Sequence, residues 1–369
     1  MPYHGGHELM VKLSTLLHLH GDPILRQGEP AQGTNDRGTN QQREVHISYR
    51  DKAAITFLLD FLRRTPSLRL VPGACSHFDG LVNISCFRAL QVLEIKKVPV
   101  GFIRGFQSLR PQLKTLICKK SLISLNEVLV HCGGDLLNAP SAWPHLKNVD
   151  FSYNGIVQLD NSVKLLPAVK ILNLSHNNIH TAQDDNESLC NWQYLSDVQH
   201  LNVGFNQMDC IPVPLAQVGL ITFQNMTTLL LKNNNLQNLK GLQAFSKLRF
   251  LDVSFNCIAS LSELTPLAFL HDLISLNLQG NPVVFCPFYR RATIACLYPI
   301  PRVEPIKIDE KPLDSEEQVL LGRNVYPVSM LSYIPETPLP HPRVRAIRKV
   351  ATEDLPESSE SQEESDSNA

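Results

Sequence analysis

The feature that most constrains this chain is a recurring asparagine behind a fixed apolar frame. Six segments align without gaps: "LKNVDFSYN" (146–154), "VKILNLSHN" (169–177), "VQHLNVGFN" (198–206), "MTTLLLKNN" (226–234), "LRFLDVSFN" (248–256) and "LISLNLQGN" (273–281). Each reads apolar-x-x-apolar-x-apolar-x-x-Asn, and the closing residues are Asn154, Asn177, Asn206, Asn234, Asn256 and Asn281, at intervals of 22 to 29 residues. Two weaker copies, "LQVLEIKKV" (90–98) and "LKTLICKKS" (113–121), keep the apolar frame and lose the asparagine. Alternating apolar positions mark a short strand with one buried face. A polar residue fixed at the end of such a strand needs an interior role, and an asparagine can bond main-chain groups where the chain turns.

This is the leucine-rich repeat pattern. No single copy can bury its apolar face alone, so the copies must stack. The expected fold is an α/β solenoid: a horseshoe of about eight repeats with a parallel concave sheet, strands centred on 92–96, 115–119, 148–152, 171–175, 200–204, 228–232, 250–254 and 275–279, and an internal asparagine ladder. Four regions follow: a helical N-terminal cap with a mobile loop (1–88), repeats (89–281), a C-terminal cap (282–298), and a Pro-rich then acidic disordered tail (299–369). Helices are expected near 7–19 and 52–64. In the cap, Phe285, Phe288, Tyr289, Ile294 and Leu297 form an apolar set around Arg290 and Arg291.

Composition narrows the function. Net charge is −1 and 43% of the 369 residues are hydrophobic, so no global field points to nucleic acid and a sizeable core is available. No apolar run approaches the ~20 residues of a membrane span, and the N-terminus reads as an amphipathic helix, not a signal peptide. The nine cysteines are scattered, with no Cys-x-x-Cys pair, which suits reduced thiols in the cytoplasm and no metal site. The segment "LICKKSLISLNEVLVHCGGDLL" (116–137) groups Cys118, His131, Cys132 and Asp135, but Cys118 falls on an inward strand position and Gly133-Gly134 ends a short helix over 122–132. No phosphate loop, nucleophile elbow or zinc-protease motif is present. A non-catalytic protein with no cofactor is expected.

On the repeat frame the variable strand residues face the concave side. Glu94, Lys96, Asp150, Asn173, Asn202, Phe250, Asp252 and Asn277 are the expected protein-binding residues. Lys96, Lys97, Lys119 and Lys120 make one end basic. A second column, Tyr153, His176, Phe205, Asn233 and Phe255, precedes each ladder position. In the tail, "RVRAIRK" (343–349) is basic and "EDLPESSESQEESDSNA" (353–369) acidic. Thr352 and Ser358, Ser359 and Ser361 are candidate phosphorylation sites, and "SEEQVLLG" (315–322) is a short helical docking candidate.

The pieces "LICKKSL", "CGGD", "FSYN" and "TPSLRLV" (65–71) resemble the N-terminal leucine-rich repeat region of the serine/threonine-kinase-11-interacting protein family, from about residue 52 to the cap near 298. "PRVRAIRKVATEDLPE" echoes that family's linker after the repeats. Full-length members continue further, so a fragment or a short form is expected. The resemblance implies an adaptor that binds a protein kinase or another signalling protein, influences its location, and associates peripherally with endosomal or lysosomal membranes. Phosphatase-regulatory and nischarin-like repeat adaptors are the alternatives.

Overall fold

Residues 49–72, 81–135, 141–181, 189–213, 223–297 and 305–323 are described by the structure, a computed structural model. The helix expected over 7–19, the loop behind it, and the tail with Arg343–Lys349, Thr352, Ser358, Ser359 and Ser361 lie outside these residues.

Each copy of the frame puts two apolar side chains inward from one strand and leaves the residues between them outward. The result is a single eleven-stranded sheet in strict sequence order. Its strands are β1 (Ser67–Leu70), β2 (Val92–Lys96), β3 (Thr115–Lys119), β4 (Asn148–Asp150), β5 (Ile171–Asn173), β6 (His200–Asn202), β7 (Thr228–Leu230), β8 (Phe250–Asp252), β9 (Ser275–Asn277), β10 (Lys307–Ile308) and β11 (Lys311–Pro312). Pairing is parallel from β1 to β10 and in the register of the repeat frame: Asn148, Ile171, His200, Thr228, Phe250 and Ser275 fall opposite one another. The inward residues Leu93, Ile95, Leu116, Cys118, Phe151, Leu174, Val203, Leu231, Val253 and Leu278 are fully buried. Full burial of one such leucine is worth about 1.5–3 kcal/mol, so the core runs the length of the solenoid.

The asparagines tie coil to coil. Asn177 Nδ2 donates to Phe151 O (2.9 Å) in the preceding coil and Leu174 O (2.8 Å) in its own, while its Oδ1 accepts from Asn154 N and Ile156 N (3.2 Å each). Asn206 bridges Leu174 O and Val203 O and accepts from Ile179 N. Asn234, Asn256 and Asn281 repeat the arrangement. The carbonyls of Phe151, Leu174, Val203, Leu231 and Val253 thereby each take two amides, one from their own coil and one from the next. Asn154 closes the N-terminal end, accepting from Ser121 N and Leu122 N and donating to Cys118 O and Phe151 O.

Three differences from the sequence reading stand out. First, the cap assigned to 1–88 contains a strand: β1 pairs with β2 over four residues, behind helix α1 (Tyr49–Arg64). "SLRL" has no asparagine and is too short for a repeat signature. Second, the sheet does not stop at a cap ending at 298. After α4 (Tyr289–Cys296), β10 adds to β9, β11 returns antiparallel, and α5 (Ser315–Arg323) follows. Arg290 holds this extension: Nε and Nη2 donate to Glu317 (2.6 and 3.0 Å), Nη1 to Ile308 O (2.9 Å) and Nη2 to Pro312 O (3.1 Å). Third, Tyr289, Ile294 and Leu297 are buried, but Phe285 and Phe288 face solvent: Phe288 sits in the left-handed region (φ 62°) just ahead of α4 and is not on its buried face, and Phe285 ends the separate 3-10 turn Pro282–Phe285.

Candidate protein-interaction surface

Of the residues grouped in the thiol-rich segment, Cys118 and Cys132 are buried, Asp135 is bonded to backbone and His131 is exposed. Asp135 accepts from Gly105 N (2.6 Å) and Gln107 N (3.0 Å) at the start of α2 (Phe106–Leu109). Arg110 donates to Leu129 O and Val130 O at the end of α3 (Asn126–Leu129) and lies over the Trp143 ring at 5.5 Å. Gly133 has φ +61°, and a Cβ there would run into Val100 O. Burial pushes the Cys132 thiol up to about 11 and that of Cys118 higher still. A thiol held neutral this way is neither a nucleophile nor a ready metal ligand. Among the described residues no group of three or more His, Cys, Asp and Glu is placed to hold a metal ion, and no helix is long and apolar enough to cross a membrane.

The concave face is organised in columns. In the one that supplied most of the expected binding residues, a side-chain oxygen is already engaged. Asp150, Asn173, Asn202, Asp252 and Asn277 each accept from the backbone N–H two residues on, at Ser152, Ser175, Gly204, Ser254 and Gln279, over 2.9–3.1 Å. These turns end the strands after three residues, whereas β2 and β3, with Glu94 and Ile117 there, run to five. β7 carries Leu230 and ends with its neighbours. Asp150 also pairs with Lys119 (2.8 Å) and Glu94 with Arg69 (3.3 Å). Lys96 closes β2, half-buried.

Phe250 belongs to the neighbouring column, which is open. It is 42% exposed and Ile171 45%; Asn148 and His200 are exposed and Thr228 and Ser275 half-buried. His200 Nδ1 and Thr228 Oγ1 are 2.9 Å apart. Of the expected binding residues Phe250 alone lies in this column. The signal that separates the two columns was present in the sequence: Asp or Asn two residues before a small residue, as in "DFS", "NLS", "NVG" and "DVS", is a turn signature.

The column before the ladder positions has an unusual backbone. Lys97, Lys120, Tyr153, His176, Phe205, Asn233 and Phe255 all have φ between 53° and 59°, and Gly280 follows at 74°. For a non-glycine residue this costs about 1–2 kcal/mol. It is offset by hydrogen bonds across coils, such as Tyr153 N to Ser175 O, His176 N to Gly204 O and Phe205 N to Lys232 O. The rings stack: Tyr153 on His176 and His176 on Phe205, both at 4.1 Å between centroids and within 12° of parallel. Burial lowers the His176 pKa, favouring the neutral imidazole. Phe255 instead covers Gly280, where a Cβ would come within 2.6 Å of its ring, and Lys232 Nζ lies 5.1 Å from its centroid.

No family model matches the chain. It is 37% identical to the human serine/threonine-protein kinase 11-interacting protein over 245 residues, covering 66% of this chain and 21% of that protein. With the Gallus gallus protein of the same name it shares 35% over 273 residues, covering 74% and 24%. The chain therefore spans less than a quarter of the length of these relatives. Among solved structures, the leucine-rich repeat domain of APL1B is 16% identical over 64% of this chain and 62% of that one, with a TM-score of 0.40. A Leptospira interrogans leucine-rich repeat protein is 21% identical over 61% and 56%, with a TM-score of 0.43. The fold stands on the chain's own sheet and ladder, and over the residues it shares with those relatives the chain belongs to the serine/threonine-protein kinase 11-interacting protein family.

Proposed function

We propose that this chain is a non-catalytic interaction scaffold that binds a serine/threonine protein kinase on its concave face and influences where that kinase sits in the cell. The observation that carries this reading is the open column on the sheet. Asn148, Ile171, His200, Thr228, Phe250 and Ser275 are aligned in register over six strands, and two large apolar side chains among them, Ile171 and Phe250, are exposed. Exposed apolar residues on a rigid concave sheet are what a partner's side chains can cover. The relatives' name supplies the class of partner. Serine/threonine-protein kinase 11 is the first to test: titrated calorimetrically into the full chain, it should bind saturably. Ile171→Asp and Phe250→Asp should each weaken the complex at least tenfold while leaving the melting temperature near that of the parent. An absence of binding overturns the kinase assignment; binding indifferent to both variants overturns the concave site.

A cytoplasmic location, with peripheral attachment to endosomal or lysosomal membranes, belongs to the same proposal. Free thiols at Cys86, Cys118, Cys132, Cys210, Cys257, Cys286 and Cys296 support a reducing compartment. Fractionation of cells expressing the tagged chain tests it, and recovery only from the secretory lumen would sink it.

A further inference from the structure

We propose that the column Lys97, Lys120, Tyr153, His176 and Phe205 is a docking strip for an extended partner segment that carries acidic residues followed by an aromatic one. The inference rests on the reading of the solenoid as an interaction module and specifies a second contact on it, beside the open strand column.

Three observations converge. The rings are not required by the backbone they sit on. Asn233 and Gly280 occupy the same column with the same left-handed conformation, and these residue types adopt it most easily. Tyr153 is nonetheless 46% exposed and Phe205 39%, so the stack turns its edges to solvent. Next, the column continues from the rings into two exposed lysines. Lys119 is paired with Asp150, and Lys232 lies over Phe255. Lys97 and Lys120 make no side-chain hydrogen bond or ion pair among the described residues. Two unpaired cations beside an aromatic platform complement carboxylates followed by a ring. Finally, within this column the cations Lys97 and Lys120 are confined to one end. Asp150 faces the middle of the sheet and Asp252 lies further along it, an arrangement that opposes the continuous phosphate track of a nucleic acid.

The spacing defines the ligand. Adjacent strands lie about 4.8 Å apart, and an extended chain rises about 3.3 Å per residue. From the coil of Lys97 to that of Phe205 is four strand steps, about 19 Å, or roughly six residues. Lys120 and His176 are two steps apart, so an acid over the first places a residue about three positions on over the stack.

The test uses the full chain and a fluorescein-labelled decapeptide with two adjacent glutamates set three residues ahead of a phenylalanine, read by fluorescence polarisation. Saturable binding is expected below about 1 mM. It should fall at least tenfold in the Lys97→Glu/Lys120→Glu variant, and to a similar extent in Tyr153→Ser/Phe205→Ser. The lysines are exposed, so the first variant keeps the test decisive if the second unfolds. Failure to saturate, equal binding of a peptide with lysines in place of the glutamates, or displacement by an oligouridylate decamer at lower concentration than the peptide itself would overturn the proposal. Kinase capture by the unaltered chain is measured in parallel. Capture that persists while the peptide fails removes the strip and leaves the scaffold reading intact, whereas peptide binding without capture leaves the strip and removes the kinase.

Discussion

Asn177→Leu tests the ladder with a side chain of similar size. Asn177 is 6% exposed. Its loss removes three donated and two accepted hydrogen bonds, but the consequences for the partners differ. Phe151 O keeps the amide of Asn154, and Leu174 O keeps that of Asn206, so neither carbonyl is left without a donor. Ile156 N loses its acceptor inside the core, and Asn154 N loses its acceptor where burial is partial. One buried orphan costs about 1–3 kcal/mol, and the bonds that the remaining partners replace incompletely add about 1 kcal/mol. The expected destabilisation is about 2–4 kcal/mol, partly offset by leucine's apolar surface. Urea unfolding followed by circular dichroism should show the midpoint falling. The ladder couples coils, so a reduced slope is also expected as cooperativity between the two halves weakens. An unfolding free energy within about 0.5 kcal/mol of the parent's would refute the reasoning, since surface substitutions commonly reach that much.

The remaining predictions concern the concave turns, the cap and the thiols. Asp150→Asn keeps the acceptor for Ser152 N and loses only the Lys119 pair, so it should cost less than about 1 kcal/mol, whereas Asp150→Ala should cost about 1–2 kcal/mol by equilibrium unfolding. Arg290→Met should cost about 2–3 kcal/mol and speed hydrogen exchange across 305–323 first; uniform exchange changes over the whole sheet would contradict the clamp. Burial holds the thiols of Cys132 and Cys296 at about 11 and about 12. In the unfolded chain a thiol ionises near 8.5, so between that pH and about 11–12 the unfolded state has lost protons that the folded state keeps, and stability falls as pH rises. Urea midpoints should therefore drop from pH 7.5 to pH 10, and less steeply in a Cys132→Ala/Cys296→Ala variant; parallel curves would show that these thiols do not contribute.

The sheet was legible wherever a physical rule left a repeated mark. An interior asparagine has one place to go, so Asn154 through Asn281 set the register of six coils, and the apolar frame alone found β2 and β3. The ends carried no such mark. β1 depends on four residues of "SLRL", and β10 on Ile308 packing beneath a strand that the chain had already left; two-residue strands are set by their neighbours and not by their own pattern. Concave exposure was legible only in part, because an Asp or Asn reads as a polar contact residue until its own backbone, two positions on, is seen to claim it. Phe285 and Phe288 misled for the opposite reason. Their apolar character pointed inward, while Phe288 takes the left-handed position ahead of α4 and Phe285 ends the turn before it, both outside the buried face of the helix.

Asn154 is followed by Gly155, the pairing most prone to spontaneous deamidation, in which the glycine nitrogen attacks the side-chain amide and expels ammonia. In the folded coil the leaving nitrogen donates to Cys118 O, Phe151 O and Ser152 O, and Gly155 N is turned away to Leu122 O at 3.2 Å. The coil thus holds nucleophile and target apart. Each excursion to the open chain releases them, and an aspartate formed there would meet three carbonyl oxygens on refolding. The first rung of the ladder is therefore a chemical clock that runs only while the protein is unfolded, and the isoaspartate content at position 154 would record how long any sample has spent in that state.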